Sequence, residues 1–99
     1  MIIKNTIEQE ALKAAINLYG VDENTSVPLQ KTRKEFEGDY TIVVFPFTRA
    51  ARKKPDAIAE EIGAKLMSAI PEVESYNVVK GFLNLKMSIE FWVNEIGAL

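Results

Sequence analysis

Val73-Glu74-Ser75-Tyr76-Asn77-Val78-Val79-Lys80-Gly81-Phe82-Leu83-Asn84-Leu85-Lys86-Met87 is the stretch that decides how this chain folds. Two strand-like runs, Val73 to Val79 and Phe82 to Met87, flank Lys80-Gly81, a two-residue link that suits a tight hairpin with glycine supplying the positive φ. Side chains alternate along the second run, so Leu83, Leu85 and Met87 share one face while Phe82, Asn84 and Lys86 share the other. The aliphatic set belongs in a core. A ring, an amide and a cation are thereby sent to the opposite surface.

Working back from the hairpin, Pro71 closes a helical pattern that Pro55 opens. Asp56, Glu60 and Glu61 occupy its first turns, where carboxylates complement the helix dipole, and Ile58, Ile62, Leu66 and Ala69 fall on one side. Before it lie two further strands. Val27-Pro28-Leu29-Gln30-Lys31-Thr32 is held extended by Pro28, and Tyr40-Thr41-Ile42-Val43-Val44-Phe45 is a β-branched and aromatic run stopped by Pro46, with Arg33 to Asp39 between them. Ile3, Ile7, Ala11, Ala14 and Leu18 recur at helical spacing ahead of Gly20, which predicts an opening amphipathic helix. A short helix over Ile89 to Gly97 ends the chain. The α-β-β-α-β-β order with a helical tail predicts an α+β fold: a four-stranded antiparallel sheet with both main helices on one face and the second face open.

Ninety-nine residues, 47% of them hydrophobic and 26% charged, make one globular domain over 1–99. No run approaches the roughly 18 apolar residues of a membrane span, and Met1-Ile2-Ile3 gives way at once to Lys4-Asn5-Thr6, so a soluble cytoplasmic protein without a membrane partner is expected. The chain contains neither cysteine nor histidine. Disulfides, thiolate chemistry, the usual nucleophilic triads and the commonest metal sites are therefore excluded. A net charge of -2 argues against nucleic acid unless cations gather locally.

They do gather, in two connections: Lys31, Arg33 and Lys34 after the first strand, and Arg49, Arg52, Lys53 and Lys54 before the second helix. Loop cations can track a phosphate backbone and give affinity without sequence information, although such runs equally serve as solvated surface. The row Phe82, Asn84 and Lys86 offers what an unstacked nucleotide needs: a ring to stack on the base, an amide for its edge, an ammonium for phosphate. The alternative is that Phe82 packs beneath the last helix and Lys86 is only a solvated strand residue. Gly38-Asp39-Tyr40, at the entrance of the second strand, reads as turn chemistry, with Asp39 accepting backbone N–H bonds rather than acting in catalysis, and Tyr40 half buried.

Leu29-Gln30-Lys31-Thr32-Arg33, then Gly38-Asp39-Tyr40, then Pro55 with Ile58-Ala59-Glu60-Glu61-Ile62, then Val79-Lys80-Gly81-Phe82-Leu83-Asn84-Leu85 together resemble, in order, the N-terminal additional domain of arginyl-tRNA synthetases. The resemblance covers almost the whole chain. It implies a domain that precedes a class I catalytic core in the same protein and reaches the elbow of arginine tRNA, contacting the D-loop and its base at position 20. On that resemblance Phe82 stacks or packs against the base, Asn84 hydrogen-bonds its edge, and Lys86 is a weaker phosphate contact; the loop cations are inferred from charge alone. Lys86-Met87-Ser88 matches the start of the Lys-Met-Ser-Lys-Ser signature of class I synthetases, but Ile89-Glu90 follow, and the His-Ile-Gly-His signature cannot exist without histidine.

The resemblance implies that catalytic and anticodon-binding domains belong elsewhere in the parent arginine–tRNA ligase. Arginine, ATP and magnesium would bind there, so no cofactor, no metal and no independent catalysis are expected of this chain. A competing function is a protein-docking module that packs its open sheet face on its own catalytic domain or on a partner. A contiguous apolar patch around Phe82 would favour docking, and a polar, cationic one would favour RNA.

Overall fold

The computed structural model describes residues 2–96; the expected end of the last helix at Gly97 lies outside them. In chain order the elements are α1 (Ile2–Tyr19), β1 (Leu29–Lys31), β2 (Tyr40–Val43), a 3-10 turn (Phe45–Phe47), α2 (Thr48–Ala51), α3 (Pro55–Ala69), β3 (Val73–Val79), β4 (Phe82–Met87) and α4 (Ile89–Ile96). The strands form one antiparallel sheet in the order β1-β2-β4-β3. The predicted α+β architecture is the observed one.

Direct cross-strand partners share a face of the sheet, so the register sorts the side chains. Leu29 opposes Ile42, Ile42 opposes Leu83, and Leu83 opposes Val78; Tyr40 opposes Leu85, which opposes Tyr76. This is the helix face. Ile58, Ile62 and Leu66 of α3 are fully buried with Ile42, Leu83 and Leu85, and Ile3, Ile7, Ala11, Ala14 and Ala15 of α1 join the same core. Each buried Ile or Leu contributes about 1.5–3 kcal/mol relative to an exposed one, which makes this layer the main source of stability. Close approach of α3 to β3 requires Gly63, where a Cβ would stand only 2.6 Å from the Tyr76 ring.

Leu18 departs from the predicted buried stripe of α1, at 41% exposure. Tyr19 turns inward instead, packing on the core and donating its hydroxyl to Glu61. β2 also ends earlier than its run of strand formers suggests. Pro46 has no N–H for a ladder, and the chain folds into the 3-10 turn and α2, which bury Phe47 and leave Phe45 outside.

The hairpin between β3 and β4 closes as expected, except that Lys80 (φ +48°) and Gly81 (φ +81°) are both left-handed. Two positive φ values define the turn type whose twist matches the flanking strands. For lysine that conformation costs roughly 1–2 kcal/mol. The turn is held from outside by Asp56, whose Oδ1 accepts the Gly81 N–H at 2.6 Å. At the far end of β4, Ser88 caps α4 by accepting the Phe91 N–H at 3.1 Å, so Lys86-Met87-Ser88 is a strand end and a helix cap. Among the described residues, no helix is long and apolar enough to cross a membrane.

Candidate nucleic-acid interface

The second face of the sheet carries rows that run across the strands. Val43, Phe82 and Val79 are cross-strand neighbours, as are Thr41, Asn84 and Asn77, while Lys86 opposes Ser75 beyond them. The expectation of an open face is only partly met. Phe82 is half buried and Lys86 exposed, but Asn84 has 0% exposure. The connection from Thr32 to Asp39 covers it.

That cover depends on Gly38. Its φ of +142° is disfavoured for residues with a side chain, and a Cβ there would meet the Asn84 Cβ and the Thr32 Oγ1, each at 3.2 Å. Asp39 then fastens the loop to β4. Its N–H donates to the Leu85 carbonyl at 2.7 Å, its carboxylate accepts the Met87 N–H at 2.7 Å, and its carbonyl accepts the Thr32 N–H at 3.2 Å. The predicted turn role of Asp39 is therefore what the geometry contains. Tyr40 is more deeply placed than expected, at 6% exposure within the core. Burial, with Glu95 and Asp39 nearby, raises its phenol above the usual range.

Beneath the loop the polar side chains satisfy one another. Thr41 donates to Asn84 Oδ1 at 2.6 Å, Asn84 Nδ2 donates to Asn77 Oδ1 at 3.0 Å, and Asn77 Nδ2 donates to the Glu37 carbonyl at 2.7 Å. The Thr41 hydroxyl has one proton, which the acceptor-only Oδ1 takes, so the 2.9 Å contact between Thr41 and Thr32 has Thr32 as donor. A continuous chain of hydrogen bonds thus runs from Thr32 through Thr41, Asn84 and Asn77 back to the loop at Glu37. Such chains strengthen cooperatively when complete, and no described buried side-chain N or O atom lacks a partner.

The predicted cations divide by what they touch. The Arg33 guanidinium lies over the Phe82 ring, 5.9 Å from its centroid, within the range of a cation–π contact. Lys86 faces Glu74 at 3.6 Å, an exposed pair that leaves the ammonium free to exchange. Lys53 is held by Glu61 at 2.7 Å and lies 5.8 Å from the Tyr19 ring centroid, so it ties the α2–α3 connection to α1 and α3. Hydrogen bonds from Lys53 and then from Tyr19 hold the Glu61 carboxyl below its usual range, while burial and the same carboxylate push the Tyr19 phenol up.

Lys31, Lys34, Arg49, Arg52 and Lys54 are exposed, and none is in an ion pair formed among the described residues. Lys31 opposes Tyr40, so strand alternation puts it on the helix side of the sheet edge, away from Phe82. Arg52 ends α2 with a left-handed backbone of φ +54°. The structure therefore brings Arg33 to Phe82 and separates Lys31 and Lys53 from it. No group of three or more His, Cys, Asp or Glu among the described residues is placed to hold a metal ion.

One exposed aromatic escaped the sequence reading. Phe45 is 53% exposed, and its ring tip reaches Gly81, the neighbour of Phe82. Its only sequence signal is Pro46, which takes the ring out of the strand alternation.

Comparison with known proteins agrees with this architecture. Residues 1–87 match the family described as arginyl tRNA synthetase N terminal domain. The chain is 42% identical over 100 residues to an arginine–tRNA ligase of Parabacteroides distasonis and 43% identical over 101 residues to that of Phocaeicola vulgatus, in each case along 100% of this chain and 17% of the relative. Among solved structures, the arginyl-tRNA synthetase of Thermus thermophilus superposes with a TM-score of 0.72 at 28% identity, over 92% of this chain and 15% of that one.

Proposed function

The chain belongs to the arginyl-tRNA synthetase N-terminal domain family, and from that premise we propose that it binds arginine tRNA at the D-loop side of the elbow through the Phe82 end of its second sheet face. The observation that carries the reading is the Arg33 guanidinium over the half-buried Phe82 ring. A base sliding onto that ring meets an aromatic surface and a cation already held together, so little side-chain freedom is lost on binding. Lys34, Arg49, Arg52 and Lys54, exposed and in no ion pair formed among the described residues, supply charge for the phosphate backbone, and Lys86 joins them at the cost of a weak surface pair. Binding of this kind would serve ATP-dependent arginylation by a catalytic domain of the parent protein, since the relatives named as ligases are about six times longer than the matched region.

Asn84 acts in this reading as a positioning residue. Its Oδ1 and Nδ2 are both engaged inside the sheet, and the hydrogen-bond chain they complete fixes the loop that carries Arg33. Direct reading of a base edge by Asn84 would first require the Gly38 segment to lift. The half-buried apolar row Val43, Phe82 and Val79 supports a second reading, docking on another protein domain, and the arginine above that row is what favours RNA over it. Titrating the chain with arginine tRNA and with a tRNA substituted in the D-loop, at low and moderate salt, separates the two. RNA binding that weakens with salt and prefers the unaltered D-loop is expected; no binding at low salt refutes the RNA reading.

A further inference from the structure

Phe45 is the only aromatic among the large hydrophobic residues that the described structure leaves exposed. Its backbone is nonetheless fixed: its carbonyl accepts the Thr48 hydroxyl at 2.8 Å, and Pro46 locks the step that follows. The ring is steadied as well, because a Cβ built on Gly81 would stand 2.9 Å from Pro55 Cβ and 3.6 Å from Phe45 Cζ. One side of the ring thus leans on the hairpin turn and the other meets solvent. Phe45, in the 3-10 turn after β2, and Phe82, at the start of β4, approach the same hairpin turn.

In that turn, next to Gly81, Lys80 is exposed and held at φ +48°, a conformation that glycine or asparagine adopts more readily. The Asp56 carboxylate at this turn is engaged by the Gly81 N–H, and no ion pair among the described residues holds Lys80. An exposed ring and an exposed lysine at one hairpin turn match the pairing that single-stranded nucleic acid uses, base on ring and phosphate on cation.

We propose that Phe45 and Lys80 form a second nucleotide subsite at the hairpin tip, with Phe45 stacking on an unpaired base next to the one at Phe82 and Lys80 meeting the intervening phosphate. This rests on the reading that the chain binds RNA. The subsite extends recognition from one unstacked base to two, and it gives Lys80 a reason to occupy a strained position.

The test compares Phe45→Ala, Phe45→Trp and Lys80→Gly with the unaltered chain in binding arginine tRNA, with folding followed by circular dichroism. Losing one base stack should weaken binding roughly five- to 150-fold in Phe45→Ala, whereas Phe45→Trp should bind at least as well as the parent. Lys80→Gly relieves the turn, so it should unfold at higher urea yet bind RNA more weakly, with the logarithmic salt slope reduced by about 0.7–0.9. Parental affinity in both Phe45→Ala and Lys80→Gly overturns the subsite while leaving RNA binding intact. Failure of the unaltered chain to bind tRNA overturns the underlying reading, and the subsite with it.

Discussion

Gly38 lies so closely on Asn84 that a Cβ added to the glycine would stand 3.2 Å from the asparagine's own Cβ. The contact joins a loop to a strand more than forty residues away and turns a polar side chain of the sheet surface into a buried one. Alanine at position 38 adds that clash to a disfavoured φ of +142°. Gly38→Ala should therefore destabilise the chain by about 1–3 kcal/mol, read as a lower urea midpoint, and should loosen the loop that holds Arg33 over Phe82. Unchanged stability would mean that the loop is not packed as described.

Asn84→Ala removes the centre of the hydrogen-bond chain: the Thr41 hydroxyl keeps its contact with Thr32 but loses its acceptor, and the Asn77 Oδ1 loses its donor. Leaving buried polar groups unsatisfied costs about 1–3 kcal/mol. As a positioning residue Asn84 should lose stability and RNA affinity together, with the D-loop variant weakened as much as the unaltered tRNA. Full stability with lost discrimination between the two tRNAs would instead assign Asn84 to the base edge.

The hairpin and the buried faces of α3 and β4 were legible in the sequence because each follows from a local pattern, except that Ala69, expected on the α3 face, is exposed. Asp39 was legible as an acceptor of backbone N–H, but its partner Met87 lies across the sheet. Alternation placed Leu83, Leu85 and Met87 correctly, and Pro55 marked the start of α3. The same alternation sent Asn84 to the second face but could not show that the Thr32 to Asp39 loop covers it, since that depends on long-range packing at Gly38. Lys53 looked like part of a phosphate-binding cluster for a similar reason. Its partner Glu61 is eight residues on, across the start of a helix, and Tyr19 comes from another helix altogether.

The carboxylate of Asp39, one residue ahead of β2, accepts a charge-assisted hydrogen bond from the Met87 N–H. Asp39→Ala should lower stability by roughly 1.5–3 kcal/mol, the usual range for hydrogen bonds to charged groups, without any effect specific to one tRNA sequence. Equilibrium urea unfolding measures the first part and competitive tRNA binding the second. A variant as stable as the parent would show that the carboxylate is dispensable to the loop.

The Glu61 carboxyl is held below its ordinary value of 4.5 by Lys53 and Tyr19. A carboxyl lowered in the folded state stabilises fully above its unfolded value and loses that contribution as pH falls through the folded one. Glu61→Gln should therefore be less stable than the parent at neutral pH, with the gap narrowing as pH drops below about 4.5. Urea midpoints of the two proteins at pH 7 and pH 3 check it. A gap that is constant, or that widens on acidification, would contradict the Lys53–Glu61–Tyr19 arrangement.

The central claim is that Phe82, under Arg33, receives a base of the tRNA D-loop. The most direct measurement is the affinity of the unaltered chain and of Phe82→Ala for arginine tRNA and for the same tRNA with the D-loop base substituted. The account predicts that Phe82→Ala loses the equivalent of about 1–3 kcal/mol on the unaltered tRNA and much less on the substituted one, so that the two changes are not additive. Equal losses on both tRNAs, or none on either, would contradict it.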